Sequence, residues 1–294
     1  MSKNLLSHIG NEFNLDLNSI KSEILSNPNL TISHEQAFEI VDQLTQFELG
    51  KSLLYNRGLS GYWISYVILH GINEKNLSEL EWWILNKSPV VLATRERFQI
   101  FQLQIQKLLK SNITIASIPC GLMETLLTLD YSKVNDVSIT GIDLDTASLV
   151  KAQELARKSQ LKEQVEFIKS DAWDLNIKNK FDIVISNGLT IYESDDNKVT
   201  QLCHKFFNSL RSDGTLITSF LTPPPIIDKN CCWKNYSPQD LAKQKLILSD
   251  IIRTKWQCYR SHEATEIMLK KAGFDQIRFI DDTQSMFPTV IATK

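Results

Sequence analysis

The chain has 294 residues, 32 lysines and arginines against 34 aspartates and glutamates, and a hydrophobic share of 43%, enough for a full core and an accessory layer in one or two domains. A formal net charge of -2 excludes non-specific capture of nucleic acid or of an acidic membrane as a default. No apolar run approaches the roughly 20 residues that span a bilayer, and no charged-then-apolar leader opens the chain, so a cytoplasmic location is expected. The five cysteines, Cys120, Cys203, Cys231, Cys232 and Cys258, are odd in number and lack zinc spacing, which predicts reduced thiols.

Residues 1–110 read as successive helices. Ser33 with Gln36 has the capping-box pattern, and Ala37, Ile40, Val41, Leu44 and Phe47 follow at spacings of three and four. Ser78 with Glu81 repeats the signature before Trp82, Trp83 and Leu85, and Phe98, Phe101, Ile105, Leu108 and Leu109 stripe a further helix. From Ile113 the texture changes to short β-branched runs alternating with helical patterns. Ile113–Ile118, Val137–Ile142, Val165–Ile168, Phe181–Ser186 and Thr215–Phe220 are predicted strands, and Asp195–Leu210 is the clearest helix between them. Such alternation implies right-handed crossovers and a doubly wound α/β sheet, whose ligands lie outside the carboxyl ends of its strands. Pro223, Pro224 and Pro225 interrupt the pattern, and an insertion over about 222–260 is expected to carry a helix from Pro238 to about Tyr259. The tail resumes with a helix ending at Ala272-Gly273 and two strands, Gln276–Ile280 and Phe287–Ala292, whose short link through Asp281, Asp282 and Thr283 makes them antiparallel.

Four strand ends carry polar residues. After the first comes Ser117-Ile-Pro119-Cys120-Gly121-Leu-Met123, a turn whose glycine lets backbone approach a ligand, with a helix expected from near Leu122. After the second, Asp143 lies about 20 residues past Gly121, the offset at which a carboxylate grips a ribose diol, whereas Asp145 is placed to cap the next helix. After the third, Asp171 is an acceptor for an exocyclic amine and Trp173 either a face for a purine or a core residue. The fourth ends in Ser186-Asn187-Gly188-Leu189, followed by Tyr192-Glu193.

Together these strand ends resemble the class I S-adenosylmethionine-dependent methyltransferases, over about residues 113–294. The resemblance implies a Rossmann-like sheet of seven strands, the last antiparallel and inserted beside the fifth. It assigns the methionine moiety to the backbone of Pro119, Cys120 and Gly121, the ribose to Asp143 with Leu144, and the adenine to Asp171, Ala172 and Trp173. Asn187 falls near the methionine amino group and the acceptor, and the product is S-adenosylhomocysteine. The family's acidic residue and Gly-x-Gly-x-Gly are replaced here by Ser117, Pro119, Gly121 and Met123, so only the middle glycine survives.

Methyl transfer is an in-line displacement that needs alignment, desolvation and, for some acceptors, a base. His262, Tyr192 and Glu193 are the candidates for that base, and metal assistance has no support. The Asp/Asn-Pro-Pro-Tyr/Phe run of nucleobase amine methyltransferases is absent after the fourth strand, which argues against nucleic acid. The expected organisation is a helical cap, 1–110, over a methyltransferase domain, 111–294, with the 222–260 insertion completing a lid. Tyr62, Trp63, Trp233, Trp256 and Tyr259 are candidate walls, and Arg95 and Arg97 either reach a carboxylate or lie on a solvated helix face. A lid suits transfer to an N or O atom of a small molecule; a protein methyltransferase whose N-terminal helices bind a partner chain, and a non-catalytic binding protein, remain as alternatives. Oligomeric state is not legible.

Overall fold

The computed structural model describes residues 15–159, 161, 164–254 and 258–294. The chain divides into two compact units: residues up to 95 with 235–256, and residues 96–234 with 257–294.

The first unit is helical. It contains α1 (Leu17–Leu25), α2 (His34–Leu44), α3 (Glu48–Asn56), α4 (Gly61–Ser65) running into a π-helical turn at Tyr66–His70, and α5 (Glu79–Asn86). The Ser33/Gln36 capping box forms in both directions, and Ser78 accepts from Glu81 N–H at the start of α5. Ala37, Val41 and Leu44 are the buried stripe of α2, as the spacing predicts. α6 (Pro89–Leu108) begins in this unit and ends in the second. Most of the insertion belongs here too. Its helix is shorter than expected: α10 (Pro238–Gln244) becomes a π-helical segment, Lys245–Ile251, and stops, so it does not reach Tyr259. The Trp83 indole N–H donates to Asp240 at 2.7 Å, Ser88 Oγ and Val90 N–H donate to Gln244 at 3.0 and 2.7 Å, and Asn27 donates to the Asp250 carbonyl at 3.1 Å. Polar side chains therefore stitch a distant stretch of sequence onto the N-terminal helices.

The second unit is a seven-stranded sheet in the order β3-β2-β1-β4-β5-β7-β6. Its strands are β1 (Thr114–Ser117), β2 (Ser138–Asp143), β3 (Val165–Lys169), β4 (Phe181–Ser186), β5 (Leu210–Ser219), β6 (Asp275–Ile280) and β7 (Thr289–Thr293). β1 to β5 run parallel, and β7 pairs antiparallel with both β5 and β6, the order that the sequence resemblance implies. The connecting helices are α7 (Glu124–Leu127), α8 (Thr146–Lys158), α9 (Asp196–Ser209) and α11 (His262–Lys271). One face of the sheet is covered by a cluster that includes Leu202, Phe206, Leu269 and Phe274, the other by one that includes Phe101, Ile105, Leu126 and Leu149. Burying each such side chain contributes about 1.5–3 kcal/mol, and burial on both faces explains the near-continuous apolar strands.

Register levels the strand ends: Ser117 pairs with Gly141 and Ile185, Asp143 with Lys169, and Ser186 with Thr218. The turns after β1, β2, β3 and β4 consequently share one edge. The order reverses between β1 and β4, where an open parallel sheet forms its ligand crevice.

Candidate active site

The turn after β1 is held from two sides. Cys120 N–H donates to the Ile142 carbonyl at 2.9 Å, and Gly121 N–H donates to Asp143 Oδ2 at 2.9 Å. Pro119 follows a cis peptide bond. Gly121 has φ of 51°, and a side chain built on it would meet nothing within 4 Å, so open space stands above the turn. α7 starts at Glu124, two residues later than expected and for a single turn, because Leu122 and Met123 extend the loop. Met123 takes the left-handed conformation, φ 61°, at the place of the family's third glycine, and is buried. The Cys120 thiol is pushed well up by burial and by the charge of Asp143, which keeps it protonated.

Asp143 is buried at the end of β2. Besides Gly121, it accepts from Asp145 N–H on Oδ1 at 2.9 Å. Burial raises its pKa, and the Asp145 and Gly121 N–H groups oppose the rise. Asp145 caps α8 as predicted, accepting from Ala147 N–H, Ser148 N–H and Ser148 Oγ at 3.1, 3.0 and 2.7 Å. The two acids two residues apart thus separate: one closes a helix, and the other faces the glycine turn. Leu144 between them is exposed. Asp171, after β3, accepts from Trp173 N–H at 3.0 Å, and Ala172 is buried beside it. Trp173 packs against the α9 side of the core and donates its indole N–H to the Lys198 carbonyl at 3.0 Å.

After β4, Asn187 accepts weakly from Ser219 Oγ at 3.4 Å, and Gly188, φ 79°, leads into a tight turn, Leu189–Tyr192. That turn is fixed by Arg260, which is buried and donates to the Thr190 and Glu193 carbonyls at 2.9 and 2.5 Å and to Asp196 at 2.9 Å. Burial raises the Tyr192 hydroxyl, with Arg97 acting the other way. Glu193 accepts from Asp195 N–H at 2.9 Å and pairs with Lys198 at 3.5 Å. His262 opens α11, 2.9 Å from Asp281 and edge-on to Phe220 and Phe279. Tyr192 and Glu193 therefore share one turn, whereas His262 stands on another element with its own carboxylate.

Arg97 is not on a solvated face. It is 5% exposed, its guanidinium lies 4.4 Å above the Phe287 ring, and Nε and Nη1 have no hydrogen-bond partner. Burial lowers its pKa to about 10, with Tyr192 and Asp282 acting against the fall. Arg95 belongs to the other unit and donates Nε–H to the Val67 carbonyl at 2.6 Å. Of the candidate wall residues, Tyr62 and Trp63 stack edge-to-face at 5.1 Å within the helical unit. Trp233 donates to Thr222 Oγ1 at 2.7 Å, Tyr259 bridges Leu221, and Trp256 lies outside the described residues. No sequence signal points to Arg260, an isolated cation in an irregular stretch with no periodicity to betray the turn it holds. Among the described residues no cluster of three or more His, Cys, Asp or Glu stands ready for a metal, and no helix is long and apolar enough to cross a membrane.

A glycine turn at a topological switch point, a buried acid after the second strand and a polar turn after the fourth share the carboxyl edge of the sheet, where open α/β sheets take their ligands. A methyltransferase-domain family matches residues 109–273, and the chain belongs to it. A chain from Bordetella parapertussis is 38% identical over 95% of this chain and 94% of that one, with a TM-score of 0.90. The magnesium protoporphyrin IX methyltransferase of Synechocystis PCC 6803, solved with bound S-adenosylhomocysteine, shares the fold at 14% identity, covering 78% of this chain and 97% of that one with a TM-score of 0.52. So does the [4+2]-cyclase SpnF, at 14% identity, 67% and 80% coverage and a TM-score of 0.51. No curated protein matches.

The protein is an S-adenosylmethionine-dependent methyltransferase, and the non-catalytic alternative falls away. The site suits that cofactor, because space is open above Gly121 and Asp143 is buried against the same turn. One expectation is corrected. The Bordetella relative is described as a possible exported protein, which overturns the cytoplasmic location inferred from the absence of a leader and of an apolar span.

Proposed function

We propose that the enzyme methylates an N or O atom of a small-molecule acceptor bound beside the turn after β4. The observation that carries this reading is the burial of the polar groups on that side: Arg97 and Thr190 are 5% and 7% exposed, and Arg260 locks the Thr190–Glu193 backbone. Polar groups withdrawn from solvent suit a ligand that enters whole, rather than a polypeptide crossing a surface.

Asp143 holds the ribose hydroxyls in this reading, Asp171 and Ala172 the adenine edge, and Pro119 to Gly121 the methionine moiety, with Asn187 near its amino group. When bound, the cofactor supplies an electrophilic methyl group on a sulfonium. Tyr192 keeps its proton, because burial raises its pKa, and so orients the acceptor by donating a hydrogen bond. Both carboxylate oxygens of Glu193 are engaged, and His262 beside Asp281 is the remaining candidate for taking a proton.

Incubation of the protein with methyl-labelled S-adenosylmethionine and a cell extract, followed by separation of low-mass compounds from polypeptides, tests the acceptor class. Label in the low-mass fraction is expected. Label confined to polypeptide overturns the proposal in favour of a protein substrate.

A further inference from the structure

We infer that Arg97 is the recognition group for a carboxylate carried by the acceptor. The inference rests on the small-molecule reading above and names the class of molecule that reading leaves open.

A guanidinium is withdrawn from water at a large cost unless it is paired, and buried polar atoms without partners are uncommon in folded proteins. Arg97 is buried in that way, with Nε and Nη1 both unpartnered. Its surroundings do not neutralise it. Asp282 is the nearby acid, but Oδ1 accepts from Gln284 N–H at 2.9 Å and Oδ2 from Phe287 N–H at 2.6 Å, and it makes no ion pair with Arg97. Tyr192 contributes a neutral hydroxyl, and Phe287 a ring face 4.4 Å from the guanidinium carbon. Gly188 completes the surroundings: a side chain there would lie 3.5 Å from Nη1. A buried cation seated over an aromatic ring, with free N–H groups, is preorganised for a carboxylate.

Position separates this anion from the cofactor's own carboxylate. Of the residues assigned to the cofactor only Asn187 follows β4, the others following β1, β2 and β3, whereas Arg97 lies over Phe287 in the loop just before β7, and β7 stands beyond β5 in the sheet. Charge then sets the class. One guanidinium with Nε and Nη1 unpartnered matches a monoanionic carboxylate in charge and geometry.

The test uses the full-length protein, Arg97→Met and Arg97→Lys, saturated with S-adenosylhomocysteine. The probes are hydroxy- and amino-substituted benzoates and alkanoates, set against their methyl esters. In the wild type the acids are expected to raise the melting temperature and the esters not to, and Arg97→Met should lose the acid response at least tenfold in concentration. Affinity for S-adenosylhomocysteine, measured by calorimetry, should stay within about twofold. Esters that stabilise as well as acids overturn the carboxylate inference while leaving a small-molecule acceptor in place. No response to any acid overturns it too, and label found only in polypeptide removes the underlying reading with it. A fall in S-adenosylhomocysteine affinity with the acid response intact reassigns Arg97 to the cofactor. Failure of both variants to fold makes Arg97 a structural residue and refutes the inference.

Discussion

Asp143→Ala tests the ribose assignment, and the structure changes what it should do. The carboxylate receives Gly121 N–H and Asp145 N–H at 2.9 Å each, so the variant removes two internal acceptors as well as any contact with a ligand. A hydrogen bond to a charged group contributes about 1.5–3 kcal/mol, but losing the carboxylate also relieves the desolvation that raises its pKa. The net cost to the fold is therefore expected at about 1–2 kcal/mol, a fall in Tm of roughly 2–8 °C for a domain of this size. Loss of the ribose contact should weaken S-adenosylhomocysteine by a further 1.5–3 kcal/mol, about tenfold to 150-fold in Kd. Calorimetric titration measures the second effect and thermal unfolding the first. Asp143→Asn separates them, since it keeps the shape and one carbonyl oxygen but not the charge, and should fall between wild type and Ala in both. A folded Asp143→Ala protein with an unchanged Kd would refute the ribose role.

Met123→Gly and Met123→Ala both empty the same buried volume, but only alanine retains the cost of the left-handed backbone; glycine should be the more stable of the two by about 1 kcal/mol in urea unfolding, and the opposite order would count against a strained Met123. Asp182 accepts from Thr114 N–H and Oγ1 at 2.8 Å, and although burial raises its pKa, these bonds outweigh it and hold the carboxyl below the usual aspartate range. A depressed acid stabilises the fold above its unfolded pKa and loses that contribution as pH falls through the folded value, so Asp182→Asn should flatten the decline in Tm below about pH 4. An unaltered acid limb would remove Asp182 from the account. A chain begun at residue 111 should fail to fold, because it lacks Phe101 and Ile105, both fully buried against the sheet and each costing about 2–5 kcal/mol when truncated. A soluble fragment with a cooperative melt would disprove this.

The sheet was legible because burial on both faces writes itself into composition: β1, β2, β4 and the second half of β5 are largely apolar, whereas the polar, exposed Arg211, Ser212 and Asp213 hid the strand's start at Leu210, and the short link at Asp281 to Thr283 forces the tail strands antiparallel. Caps were legible for the same local reason, as Ser33, Ser78 and Asp145 each accept from N–H groups two or three residues on. Long-range polar contacts were not. Nothing in the spacing of Trp83 and Asp240, 157 residues apart, marks the insertion as part of the N-terminal unit. Arg97 shows the other limit: a charged residue on a helix reads as solvated until its neighbours are known, and Phe287, 190 residues later, is what covers it.

The altered glycine turn poses the sharper question of how a site described by three glycines works with one. Each position makes a different demand. The third needs a left-handed backbone but not an absent side chain, since Met123 reaches φ 61° and turns its methyl group toward Gly141, where a built Cβ would be 3.2 Å from it. Its side chain thus fills core instead of obstructing the crevice, in exchange for about 1 kcal/mol of backbone strain. The middle position demands both, because its φ is 51° and the space above it must stay open. Gly121→Ala therefore combines a strained backbone with a methyl group at the cofactor's approach, and should weaken S-adenosylhomocysteine far more than Met123→Gly does. If the two variants bind it equally well, the open space above Gly121 is not where the cofactor rests.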